Sequence, residues 1–165
     1  MQFKAFKHHT MLIACIALAA LFPQPLLAED SSPLAEPPSL YSRLGGLAPI
    51  SVVVSDFIDL LVVDDELNAN PAVDAARKQV PAAYLKYQVT SLMCASTGGP
   101  CIYQGRGMKE AHAHLNITEP EWDRMIVLFK EVLTTHQVPQ QETEELLEII
   151  DSTKDAIVVQ PVESE

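Results

Sequence analysis

The chain predicts an all-α domain, and three observations carry that prediction. Apolar residues recur at helical spacing in four separate stretches, no stretch reads convincingly as a strand, and no segment repeats another. At 165 residues the chain is long enough for one domain with a proper core. Four such stripes can bury a common interior.

Residues 1–28 read as a secretory signal peptide. Lys4 and Lys7 give a basic start, Met11 to Phe22 an apolar run, and Leu26-Leu27-Ala28 a small-residue cleavage site. The apolar run is short of the roughly 20 residues a membrane span needs. A secreted or periplasmic protein is therefore expected, with an uncleaved membrane anchor as the alternative and no stable membrane insertion once the leader is cut. Leu12-Ile13-Ala14-Cys15 imitates a lipidation box, but too little apolar sequence precedes Cys15 and too much follows it. Cleavage would remove two lysines and no acid, taking the formal charge from -11 to about -13. That balance argues against a nucleic-acid partner, since phosphate binding demands a basic surface. Residues 29–38 hold three prolines, two serines and three acids, and read as a disordered linker. The folded domain is expected over 39–160, with a short tail at 161–165.

Leu40 to Leu44 is a stub of helix stopped by Gly45-Gly46. From Ala48 to Leu61, Ile50, Val53, Val54, Phe57, Ile58 and Leu61 fall on one helical face. Val62 to Asn70 is rich in acids and ends in Asn70-Pro71, the mark of a turn into a loop. A further helix is expected over Ala76 to Cys94, with Val80, Leu85, Val89, Leu92 and Met93 facing inward. Pro81 fits its first turn, which moves the start toward Lys78. Thr118 with Glu121 is a capping-box signature, and Pro120 suits the turn that follows. Trp122, Met125, Ile126, Phe129, Val132 and Leu133 then give the strongest periodicity in the chain. Gln137-Val138-Pro139 breaks it. A last helix from about Gln140 carries Leu146, Leu147, Ile149, Ile150 and Ile157.

The chemistry concentrates between Thr97 and Thr118. Gly98-Gly99-Pro100 reverses the chain, a second bend follows at Gly105 and Gly107, and a short helix is expected from Met108 to Leu115. Met108, His112 and Leu115 share one face of it, so the imidazole of His112 is expected to project inward among apolar neighbours. His114 is rotated by about 200° and should point away. Cys94 and Cys101 flank the Gly-Gly-Pro bend. They either bridge across it, if their Cα atoms come within roughly 7 Å, or remain two small buried residues that never meet.

The run Gly98-Gly99-Pro100, then Tyr103-x-Gly105-Arg106-x-Met108-Lys109, then Ala111-His112-Ala113-x-Leu115-x-Ile117-Thr118 resembles the group I truncated haemoglobins. A looser likeness runs from Leu40 to about Val158. The resemblance implies a globin-like, truncated 2-over-2 helical sandwich around haem b, with His112 as the proximal ligand of the iron. It further implies haem contacts from Phe57, Ile58, Leu85, Val89, Tyr103, Met108 and Leu115. Arg106 and Lys109, flanking the ligand segment, either pair with haem propionates or are ordinary exposed cations. Many group I members carry a tyrosine on the second helix that bonds the distal ligand; the matching residue here is Ile58. The aromatic residue usually packed on the porphyrin should fall near Asn70 or Pro71, and none stands there. On the helix before Cys94 two registers stay open, one setting Leu85 and Val89 over the iron, the other Tyr84 and Gln88.

Iron chemistry suits this reading, because a neutral imidazole nitrogen is a good iron ligand and a buried haem needs an axial donor in an apolar cage. No Cys-x-x-Cys-His motif supports c-type attachment. The expected function is reversible binding of oxygen, nitric oxide or carbon monoxide, for oxygen transport or nitric oxide detoxification. No protein side chain is assigned a catalytic role. A nitric oxide dioxygenase-type activity is the enzymatic reading and would draw on an external reductase. Two non-enzymatic readings compete with it: a haem-based gas or redox sensing module, and a helical interaction protein that has lost haem.

Overall fold

The computed structural model describes residues 37–159. The leader at 1–28, most of the linker at 29–38 and the tail at 161–165 lie outside them. Helix α1 (Leu40–Arg43) begins at Ser39, whose hydroxyl accepts from the Ser42 amide, and ends before the Gly45-Gly46 pair. Helix α2 (Leu47–Val63) is the centre of the fold, packed against α5 (Ala82–Ser96) and α7 (Glu119–Thr135). Its buried residues Ile50, Val54, Phe57 and Ile58 lie on the predicted face. They meet Leu128, Phe129, Val132 and Leu133 of α7 and Met93 of α5 in one core.

Two predicted boundaries are corrected. The loop expected over 62–70 is helical for much of its length, because Asp64 caps a short helix α3 (Asp65–Asn68) through the Leu67 amide. Arg124 of α7 donates to the same carboxylate at 3.0 Å, and this bond chiefly holds the Asp64 carboxyl below its ordinary range. The single helix expected over 76–94 is two helices, α4 (Pro71–Gln79) and α5. Proline disfavours a helical conformation in the residue before it, and Val80 is accordingly extended (φ -102°, ψ 114°). Pro81 becomes the N-cap of α5 rather than a first-turn residue. The missed start of α4 has a local signal: Asn70 caps it and Pro71 opens it.

Helix α6 (Met108–His112) is shorter than expected, with Ala113 to Leu115 forming a turn. Helix α7 carries the predicted capping box between Thr118 and Glu121. The last helix is interrupted at Ser152-Thr153, giving α8 (Gln140–Asp151) and α9 (Lys154–Ile157), and α9 packs on α6. Among the described residues the only β-pairing is an isolated parallel bridge between Ile117 and Val158. No described helix is long and apolar enough to cross a membrane.

Cys94 and Cys101 form a disulfide with Cα atoms 5.7 Å apart, which decides between the two sequence readings. Cys94 is fully buried at the end of α5, so the bridge fastens the start of the 98–107 loop to the core. Gly98 takes φ +82°, and Gly99 is squeezed from three sides. A Cβ on Gly99 would stand 2.5 Å from the Tyr41 ring, 2.7 Å from the Cys94 carbonyl oxygen and 2.8 Å from the Cys94 sulfur. Neither the carbonyl nor the bridged sulfur can swing aside. Gly99→Ala is expected to cost about 1–3 kcal/mol by overpacking, read as a lower denaturant midpoint; an unchanged midpoint would show that Tyr41 and the bend yield freely.

Candidate functional site

Helix α6 is five residues long and places His112 at its last position, partly buried. The ring Nδ1 lies 2.8 Å from the carbonyl oxygen of Met108, one turn earlier. A carbonyl only accepts, so Nδ1 carries the proton. In the neutral ring this leaves the Nε2 lone pair as the one nitrogen able to coordinate a metal. Burial pushes the His112 pKa below its ordinary value, with the charges of His114 and Arg106 acting in the same direction against the Met108 hydrogen bond. The ring is therefore kept in the neutral form that a metal requires.

A cavity of about 880 Å³ opens beside this ring, large enough for a cofactor of several fused rings. Phe57 and Ile58 of α2 and Leu85 and Val89 of α5 line it. So do Tyr103, Arg106, Met108, His112 and Leu115 from the central stretch. Lys109 does not. It is exposed on α6 and absent from the cavity wall, so the structure separates it from Arg106, the other cation expected to meet a propionate. Arg106 stands exposed at the cavity with no carboxylate paired to it among the described residues, whereas the nearby Arg77 is engaged by Asp74. The Tyr103 hydroxyl donates to the Arg106 carbonyl at 2.9 Å and so fixes the backbone that carries this cation.

His114 is exposed, yet it also reaches the cavity wall, because the helix ends at His112 and the turn alters the rotation that a continued helix would have given. On α5 both open registers touch the cavity. Tyr84, Leu85, Gln88 and Val89 all line it; Leu85 and Val89 pack against the core, while Tyr84 is half exposed. Sequence reasoning missed Asn68, a polar group on the wall whose Nδ2 donates to the Val62 carbonyl at 3.2 Å and whose Oδ1 has no partner among the described residues. His136, the third histidine after the leader and expected in the loop before the last helix, also lines the cavity and bonds Asp56 at 2.7 Å. No local pattern marks either residue; their place depends on the meeting of α2 with α3 and with the end of α7.

The arrangement can hold a flat apolar group with one imidazole nitrogen as axial donor and a guanidinium for an acidic edge. The family model for the bacterial-like globins matches residues 39–159. A group 1 truncated hemoglobin of Mycolicibacterium paratuberculosis is 29% identical over 113 residues, covering 68% of this chain and 79% of that protein. One from a Nostoc species is 27% identical over 124 residues, covering 73% and 97%. Among solved structures, the Fe(III) truncated hemoglobin of Tetrahymena pyriformis superposes with a TM-score of 0.65 at 23% identity, over 74% of this chain and all of that one. The cyanomet 2/2 hemoglobin of a Synechococcus species, with covalently attached heme, superposes with a TM-score of 0.62 at 25% identity, over 71% and 94%. The chain is an all-α, truncated 2/2 globin and belongs to the bacterial-like globin family.

Proposed function

We propose that the protein binds haem b in this cavity through His112 and reversibly takes up a diatomic gas, oxygen first among them. The observation that carries the reading is the His112 ring, kept neutral by burial, with its Nδ1 proton engaged by Met108 and Nε2 available beside a largely apolar cavity. Haem, when bound, would supply a ferrous iron able to take up the gas reversibly. The chain's own residues do the rest. His112 would hold the metal, and Phe57 and Ile58 of α2 with Leu85 and Val89 of α5 would keep water from the bound group. Arg106, which has no carboxylate partner among the described residues, would pair with a propionate. Absorption spectra of purified protein with one equivalent of hemin, in ferric, ferrous and carbon monoxide forms, test the reading. A strong Soret band is expected, and a preparation that stays colourless with hemin would leave a helical protein that has lost the cofactor.

Ile58 cannot donate a hydrogen bond where the resemblance expects a tyrosine, so oxygen should leave faster than from tyrosine-bearing relatives. One net hydrogen bond of about 0.5–1.5 kcal/mol corresponds to a few-fold to about tenfold. Stopped-flow release from the ferrous protein checks this, and a slower off-rate than theirs would contradict it. Replacing Tyr84 by Phe and Gln88 by Leu separates the two α5 registers, because only donors that reach the ligand will change the rate.

We also propose export to the periplasm or beyond. The leader-like residues 1–28 support it, and so does a disulfide at Cys94 and Cys101, which an oxidising compartment preserves. N-terminal sequencing of the mature protein should begin after Ala28. Nitrate production from the oxygenated protein mixed with nitric oxide would extend the role from carrier to dioxygenase.

A further inference from the structure

Helix α6 does little to fix its own position. It has five residues, and no side chain caps its N-terminus. The turn after it is gripped by a side chain from far away in sequence. Asn70 accepts from the amides of Ala72 (2.9 Å) and Val73 (3.4 Å) through Oδ1, which caps α4. Those two N–H groups demand an oxygen, so the other end of the amide is the Nδ2 donor. It points to the carbonyl oxygen of Leu115 at 2.9 Å, across 45 residues of chain. The Leu115 amide in turn donates to the His112 carbonyl at 2.8 Å. The path from the cap of α4 to the backbone of the imidazole-bearing residue is two hydrogen bonds long. Both ends border the cavity, through Val73 and Ala76 of α4 and through His112 and Leu115.

We infer that Asn70 is a positioning residue for His112: its amide ties the proximal turn to the α4 wall and so sets where the imidazole stands. The inference rests on the haem reading above. An acceptor at position 70 alone would be enough to cap α4, and serine or aspartate caps as well as asparagine. Only an amide can also donate to Leu115. Cap and tie are therefore separable. Asn70→Ser keeps an acceptor for the cap and removes the donor. Asn70→Asp keeps the length as well but sets an oxygen against the Leu115 carbonyl and a second carboxylate beside Glu121, which Asn70 also hydrogen-bonds, so Asn70→Ser is the cleaner variant.

The test compares both variants with wild type in two states. In hemin-loaded protein, well below the melting transition, hemin transfer to excess apomyoglobin should be about tenfold faster in both variants, at the lower end of the loss typical when a group orienting a metal ligand is removed. The iron–histidine stretching band of the ferrous form should shift or broaden. In apo-protein, melting temperatures should fall by only a few degrees, the worth of one hydrogen bond, while amide exchange at Leu115 and Ile117 accelerates and the His112 ring resonances move. Unchanged hemin transfer, Raman band and His112 resonances in both variants would overturn the inference and leave Asn70 as a cap alone. Wild type without a Soret band would sink the haem reading instead; the apo-protein exchange and ring resonances would still decide whether Asn70 positions His112.

Discussion

Replacing His112 by alanine should abolish stable haem retention while leaving the fold intact. The ring contributes one internal hydrogen bond, from Nδ1 to the Met108 carbonyl, and sits only partly buried at the end of a five-residue helix. Its removal from the apo-protein should therefore cost on the order of 1 kcal/mol, the worth of one ordinary hydrogen bond. The effect on the cofactor is of another size. Removing a group that merely orients a metal ligand costs roughly 10–100-fold in affinity, and removing the ligand itself should exceed that. Hemin titration followed at the Soret band gives the number. Added imidazole should restore part of the band, because the cavity of about 880 Å³ has room beside the truncated side chain. An unchanged spectrum in His112→Ala would move the axial role elsewhere, and His114 and His136, which also line the cavity, would be the residues to replace next.

Phe129→Ala is expected to be the most damaging change to stability. Phe129 is 4% exposed and lies edge-on to Phe57, ring centroids 5.2 Å apart at 69°. The pair joins α7 to α2, the central helix of the core. Deleting a buried phenyl typically costs about 3–5 kcal/mol, part of it the cavity that the surroundings fail to close, and the edge-to-face pair is included in that loss. Here the void would merge with the cavity that Phe129 already lines. Collapse then recovers little, and a value at the upper end is expected. For a domain of this size the melting temperature should fall by about 10–20 °C. A fall of only a few degrees would mean that α2 and α7 repack, and that the interior is looser than the buried fractions of its residues imply.

Much of this architecture is legible in the residues alone. The stripes on α2 and α7 place Phe57, Ile58, Phe129 and Leu133 inside, because a helix of period 3.6 can bury only one face and the apolar residues keep to it. The capping box at Thr118 and Glu121 fixes the start of α7 for a similarly local reason. Where sequence and structure part, the local signal is ambiguous. Proline is compatible with both a first helical turn and a break. At Pro81 the break wins, since α4 has its own start at Asn70-Pro71 and Val80 is driven extended. His114 departs from its expected direction because rotation counts only along a continuing helix, and this one stops two residues earlier.

By itself the sequence determined the all-α class, the helices α2 and α7 with their apolar faces, and which histidine stands in a haemoglobin-like context. Each of these is encoded within a window of a few turns, where sterics and periodicity act directly. Only the tertiary structure decided that Cys94 and Cys101 come within bridging distance, that Arg106 reaches the cavity and Lys109 does not, and that Asn70 grips Leu115. Those facts depend on where separate helices come to rest against one another, and packing of whole faces sets that, through many small contacts that no short window of residues records.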